Sequence, residues 1–287
     1  MSDLLWLNGD IIPQADTRLN VEDRGFQFAD GVYEVIRLYD GRPFTLIEHL
    51  DRLAKSAAGI ELSVPMTPRE LADHILRFIP RTGVRDGMIY LQLTRGVAAR
   101  NHIFPEKSTP TLLFYARPLP AVLPAGEAVG VRLMTVADER WKRCWIKAIA
   151  LLPNVLAKNA AVAKGYDEAV FVENGIVSEC SASNLFAVLG NKVVTHPVGS
   201  KVLPGITRQV LLQLAASVRV RLEERPIGID EIRHADELFI TSTTREISWV
   251  SALNDLSIGD GSCGPVTLRL HRAFQQRVSA DTRHVAA

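Results

Sequence analysis

No stretch of this chain approaches the roughly 18 consecutive apolar residues that a membrane span requires, although 47% of its residues are hydrophobic. The apolar residues are interrupted instead, as in a buried core, and 287 residues suffice for one large core or two modest ones. A dominant charge sign is also missing. Thirty-three basic against 32 acidic side chains leave a formal charge of +1, so no net field draws in nucleic acid or an anionic membrane. Cysteine is scarce: Cys144, Cys180 and Cys263 are odd in number and far apart, which fits a reducing compartment, with the cytoplasm as the expected location. Neither these nor the seven histidines show metal-ligand spacing, and no phosphate loop or dinucleotide fingerprint occurs. Gly261-Ser262-Cys263-Gly264 fails as a nucleophile elbow because Asp260 stands where the first glycine is needed. Metal and nicotinamide chemistry are disfavoured, and small-molecule partners are favoured.

What is present reads as a mixed α/β chain. Residues 1–6 carry no basic region before their apolar stretch and reach Asn8-Gly9 at once, which predicts a first strand and not a signal peptide. Val32 to Tyr39 is β-branched and aromatic, and Asp40-Gly41 turns it back towards Arg42 to Leu46 as a hairpin. Ile47, Leu50, Leu53, Ala54 and Ala57 recur at helical spacing up to Gly59. Thr67-Pro68-Arg69-Glu70 combines a cap, a proline at the first helical position and a capping-box glutamate, predicting a helix to about Thr82. Strands are expected at 87–94 and 111–116, then beyond a Pro/Gly-rich stretch at 131–136. A helix from Pro153 to Gly165, a hairpin from Glu168 to Glu179 turned by Asn174-Gly175, and a strand at 185–189 follow. A helix opening near Thr207, strands at 238–241 and 247–253, and a helix from about Pro265 complete the chain. The composition divides it into residues 1–118, a linker at 119–129 and a larger domain at 130–287.

Several residues have the character that chemistry requires, though each has a plainer reading when taken alone. The chain has only eight lysines, and Lys147 stands in a nearly all-apolar neighbourhood from Trp145 to Leu152. Burial makes an ammonium shed its proton and become a nucleophilic amine; a wet head on a packed stem is the alternative. Glu179 closes a hairpin strand before the small polar run Cys180 to Asn184. It can face a pocket, where a carboxylate would keep a pyridine nitrogen protonated, or simply face solvent. Leu203 to Thr207 leads into an apolar-periodic helix, whose N-terminal N–H groups suit phosphate. Thr241-Ser242-Thr243-Thr244 is a second hydroxyl-rich candidate, and both can equally be plain caps. Arg100 and His102 stand two apart in a segment that reads as extended, so both can point one way and converge on a carboxylate, or line a solvated loop.

Together these signals resemble the fold-type IV pyridoxal-phosphate enzymes, and among them the bacterial D-amino-acid transaminases. The matching stretches run in order through nearly the whole chain: Glu22 to Val35, Glu48 to Leu53, Arg100-Asn101-His102, Arg140 to Leu152, Ser178 to Asn184, Gly205 to Arg208 and Thr241 to Thr244. The resemblance implies a two-domain fold of α+β and α/β character, with a small N-terminal α/β domain and a larger C-terminal β-barrel-like domain carrying helices. It implies pyridoxal 5′-phosphate bound as an aldimine to Lys147, with Glu179 as partner of the pyridine nitrogen. Arg52, Ile206, Thr207, Ser242 and Thr243 match the phosphate cup. Tyr33, Arg100 and His102 match the carboxylate trap, in which the arginine and histidine come from the other subunit of a homodimer.

The implied reaction is ping-pong transamination between a D-amino acid such as D-alanine and a 2-oxo acid such as 2-oxoglutarate. Branched-chain L-amino-acid aminotransferases and aminodeoxychorismate lyases share the lysine, glutamate and phosphate cup, and remain the alternatives; a non-catalytic scaffold is the third. The Arg-x-His pair favours the D-specific group. Against that group's pattern, Cys180 replaces a glycine, Ala182 a serine and Pro204 a lysine, changes that leave the lysine chemistry intact and bear on the shape of the pocket.

Overall fold

The structure, a computed structural model, describes residues 3–282. It divides into two compact units, one comprising residues up to Ala121 with Ile146–Ala150, the other Val122–Trp145 with Leu151 onward.

The first unit is built on β1 (Leu4–Leu7), β2 (Asp10–Pro13), α1 (Arg24–Phe28), β3 (Gly31–Tyr39), β4 (Arg42–Pro43), α2 (Leu46–Ala58), α3 (Pro68–Thr82), β5 (Gly87–Thr94) and β6 (Thr111–Pro118). Its six strands order as β2-β1-β6-β5-β3-β4, antiparallel throughout. The Asp40-Gly41 turn puts both residues at positive φ, the conformation a two-residue hairpin needs. The returning strand is shorter than expected. It stops at Pro43 because Thr45 adopts a left-handed conformation and α2 begins at Leu46. Both halves of the Thr67/Glu70 capping box form at the start of α3. Trp6 and Phe114 stack at 4.7 Å between ring centres, and Phe78 from α3 meets Phe114 edge-on. Each of these fully buried rings contributes on the order of 1.5–3 kcal/mol from water exclusion.

The second unit contains β7 (Val131–Ala137), α4 (Leu152–Ala163), β8 (Glu168–Glu173), β9 (Ile176–Cys180), β10 (Asn184–Leu189), β11 (Lys192–Thr195), α5 (Ile206–Ala215), β12 (Arg221–Glu224), β13 (Ile227–Gly228), α6 (Ile229–Arg233), β14 (Glu237–Ser242), β15 (Glu246–Leu253), β16 (Leu256–Ser257) and α7 (Pro265–Thr282). One mixed sheet runs β12-β11-β10-β14-β15-β7-β8-β9-β13, with β16 on β15. Parallel pairing of β7 with β8 through the crossover α4, and of β15 with β7, joins two antiparallel stretches. Its core is aliphatic, including Leu133, Val170, Leu185, Val194 and Ile240. Among the described residues no helix is long and apolar enough to cross a membrane, and no cluster of three or more His, Cys, Asp or Glu could hold a metal.

Candidate active site

Strand periodicity sorts the side chains of β3. Val32, Glu34, Ile36 and Leu38 are buried on one face, while Tyr33 and Val35 alternate with them. α2 packs on β3, and His49 and Arg52, three residues apart on α2, reach the same carboxylate. Arg52 donates to Glu34 from Nε and Nη2 at 2.7 and 2.8 Å, and His49 Nδ1 lies 2.7 Å from Glu34 Oε2. Burial alone would raise the Glu34 carboxyl, but the Arg52 guanidinium beside it prevails and holds it at about 2. Burial pushes the His49 imidazole down, against the attraction of Glu34.

Residues 146–150 lie along the start of β3. The N–H of Tyr33 donates to the Lys147 carbonyl at 3.0 Å, that of Ile149 to Gly31 at 3.1 Å, and that of Lys147 to Ser56 Oγ at 3.1 Å. Gly31 is obligatory there, since an added Cβ would overlap the Leu93 carbonyl on β5. Lys147 is half-buried, and its Nζ stands 4.3 Å from the centre of the Tyr33 ring. Tyr33 in turn stacks on Tyr90.

Arg100 and His102 belong to a bend, not to the extended run their spacing suggested. They are nevertheless brought together. The Arg100 guanidinium lies 4.5 Å from the Phe28 ring centre, and the His102 ring 5.5 Å from it. Arg24 ties the bend down by donating from Nη1 to the Asn101 carbonyl at 2.6 Å. Within this unit, therefore, Tyr33 has its ring contacts at Lys147 and Tyr90, whereas Arg100 and His102 have theirs at Phe28.

In the second unit Glu179 is buried on β9, not solvent-facing. Its Oε1 accepts from Arg140 Nη1 at 2.6 Å, and its Oε2 accepts from Asn184 Nδ2 and the Leu203 N–H, both at 3.0 Å. Asn184 is the hub of this region. It pairs opposite Thr241 at the end of β14, and its side chain packs against Gly205, the residue that precedes α5. Ile206, Thr207, Ser242 and Thr243 thus belong to two segments that meet at one asparagine. Ile206 and Thr207 are buried, and no side chain caps this helix start, whereas buried helix ends ordinarily find partners for their N–H groups. The Thr241 hydroxyl is likewise buried without a hydrogen-bond partner.

The residue pattern from 31 to 253 matches the family model of amino-transferase class IV. The chain belongs to the class IV aminotransferases. It is 40% identical over 276 residues to a D-alanine aminotransferase of Bacillus licheniformis, covering 96% of this chain and 97% of that protein. A D-alanine aminotransferase of Listeria monocytogenes is 37% identical, with 95% of each chain covered. Among solved structures, a T.th. branched-chain amino acid aminotransferase with pyridoxamine 5′-phosphate superposes with a TM-score of 0.90 at 30% identity, covering 98% of this chain and 95% of that one. This enzyme is accordingly a pyridoxal-phosphate-dependent aminotransferase of the fold-type IV architecture.

The residues present fit that cofactor. An uncapped, buried helix start suits its phosphate, a half-buried lysine beside an aromatic ring suits covalent attachment, and a buried carboxylate suits its ring nitrogen. Sequence reasoning assigned no role to Asp138, Arg140, Asn184, Glu34, His49 or Phe28. Five of them lie within the stretches that carry the family resemblance, and Asp138 alone lies outside.

Proposed function

We propose that this aminotransferase moves the amino group of a D-amino acid, with D-alanine as first candidate, to a 2-oxo acid such as 2-oxoglutarate in two half-reactions. The observation that carries this reading is the meeting of Arg100 and His102 on the Phe28 ring. A planar guanidinium and an imidazole held together are suited to grip a carboxylate by several hydrogen bonds. Relatives at 35–40% identity named D-alanine aminotransferase support the same choice.

Lys147 is the amine that attaches the cofactor and moves the substrate's α-proton. When bound, pyridoxal phosphate supplies an electron sink for the pair left at Cα. Glu179 holds a proton at the pyridine nitrogen. Arg52, Ile206, Thr207, Ser242 and Thr243 bind the phosphate, and Tyr33, Arg100 and His102 bind the substrate carboxylate. Arg100 and His102 do so in the site of a second copy, as a homodimer. The exposed apolar residues Phe26, Val97, Ile103 and Phe104 around them support such an interface. We place the enzyme in the cytoplasm, in keeping with three unpaired cysteines.

Solved branched-chain aminotransferases with TM-scores near 0.90 favour a second reading, a branched-chain L-amino acid as donor. Absorbance spectra of the cofactor-loaded enzyme with D-alanine, L-alanine and L-leucine in parallel separate the two. A spectral change with D-alanine alone supports the proposal. A change with L-leucine alone refutes it in favour of the branched-chain donor.

A further inference from the structure

Arg140 lies between two carboxylates. Nε and Nη2 donate to the two oxygens of Asp138, each at 2.9 Å, while Nη1 donates to Glu179 Oε1 at 2.6 Å. Nη2 also donates to the Lys201 carbonyl at 2.9 Å and to Ser178 Oγ at 3.2 Å, and the guanidinium lies 4.1 Å from the centre of the Phe171 ring. The Asp138 side chain is fully enclosed, and Arg140 is buried. Asp138 therefore takes the guanidinium as a fork through Nε and Nη2, while Nη1 reaches Glu179.

That division matters for charge. A guanidinium facing Glu179 alone would form a neutral pair and cancel the potential that a protonated ring nitrogen requires. With Asp138 included the three side chains carry a net −1. The Cys144 thiol is pushed up to about 11 by burial and stays neutral, as does the buried Cys180 thiol. Lys201 is paired with Glu173 at 3.2 Å, and Lys158 with Glu168 at 3.3 Å. Burial would raise the Asp138 carboxyl, but the Arg140 hydrogen bonds overcome it and keep Asp138 ionised at neutral pH.

We infer that Asp138 is a positioning residue that neutralises Arg140, so that Glu179 keeps its full negative charge for the protonated pyridine nitrogen of the cofactor. The inference rests on the proposed role of Glu179. It adds a residue that touches neither cofactor nor substrate and yet sets the proton affinity of the ring.

The test is to load wild type, Asp138→Asn and Asp138→Asn/Arg140→Met with pyridoxal phosphate carrying ¹⁵N in the ring, and to follow the ¹⁵N shift with pH. Circular dichroism checks the fold. Wild type is expected to keep the nitrogen protonated from about pH 6 to 9, and Asp138→Asn to release that proton at a pH lower by about one unit or more, tenfold in proton affinity. The double variant removes both charges, leaves Glu179 alone with its −1, and is expected to recover the wild-type signal. This second arm decides the matter if the single variant does not fold. A wild-type titration in Asp138→Asn, or an unprotonated nitrogen in the double variant, overturns the inference. An unprotonated nitrogen in wild type would instead refute the role given to Glu179.

Discussion

Lys147 Nζ stands 4.3 Å from the centre of the Tyr33 ring, and the Tyr33 N–H holds the Lys147 carbonyl at 3.0 Å. Side chain and main chain thus register the same two residues against each other. The ring keeps the lysine in place, and the hydroxyl is the part assigned to the substrate carboxylate. Tyr33→Phe should separate the two roles. Loss of one hydrogen bond to a charged group is expected to raise KM for D-alanine about tenfold, with cofactor binding unchanged. Steady-state kinetics check this, and an unaltered KM would remove Tyr33 from the carboxylate site.

Glu34, His49 and Arg52 form a buried ionic cluster under β3, in which both titratable members oppose protonation. The Glu34 carboxyl falls from 4.5 to about 2, so the stability it contributes is complete above about pH 4.5 and is lost as pH drops towards 2. His49 is shifted below its ordinary 6.5 by burial, so the unfolded chain takes up its proton first and acid begins to cost stability near that pH. Urea midpoints should accordingly fall on acidification from about pH 6.5. Glu34→Gln, which strands the buried Arg52 charge, is expected to cost about 3–5 kcal/mol at neutral pH and to flatten that dependence. A midpoint in the variant that slopes as steeply as wild type would assign the acid sensitivity to other groups.

These two clusters also mark the limit of what sequence conveys. Local rules were legible at several caps and turns, though not at the bend of Arg100 and His102. The Thr67/Glu70 box formed, and Asp40-Gly41 and Asn174-Gly175 both adopt the positive φ their turns demand. The polar edge strand Arg221–Glu224 was not legible, since its place comes from parallel pairing with β11 and no apolar alternation announces it. The site shows the same division. Lys147 and Glu179 stood out by their surroundings and by family resemblance, but the residues that anchor them did not. No local pattern gave Asp138 or Arg140 a role: the fold buries Arg140 against Phe171 and Glu179 and pairs it with Asp138, and the contacts with Phe171 and Glu179 are distant in sequence.

The bend that carries Arg100 and His102 is anchored through Asp30. Its carboxylate accepts from Arg24 Nε and Arg95 Nε, both at 2.8 Å, and from Arg95 Nη2 at 3.0 Å. Arg24 passes the connection to Asn101, and Arg95 stacks 3.7 Å from the Phe104 ring centre. Asp30→Asn should loosen both arginines and let the bend drift. We expect KM for D-alanine to rise about tenfold, a binding loss near 1.4 kcal/mol, with a smaller change in kcat. A fall in kcat at constant KM would show that Asp30 serves the chemistry and not the substrate grip.

Gly205 precedes α5 at φ −60°, a backbone conformation open to any residue, so its necessity is steric alone. An added Cβ would overlap Asn184 Oδ1. Asn184 cannot yield cheaply, because its Nδ2 donates to both Glu179 Oε2 and the Leu203 carbonyl at 3.0 Å. Gly205→Ala is therefore expected to cost about 1–3 kcal/mol through overpacking. The greater effect should fall on the cofactor. Displacing Asn184 disturbs Glu179, the proposed partner of the ring nitrogen, and the helix start together, and a loss of about 2 kcal/mol corresponds to roughly a thirtyfold weaker Kd for pyridoxal phosphate. Fluorescence titration of the apoenzyme measures that constant. Asn184→Ala in the Gly205→Ala background removes the overlap and should restore stability without restoring affinity, since the hydrogen bond to Glu179 is gone. If Gly205→Ala instead binds the cofactor as wild type does while losing stability, Asn184 is only a packing contact and the two segments do not act through it.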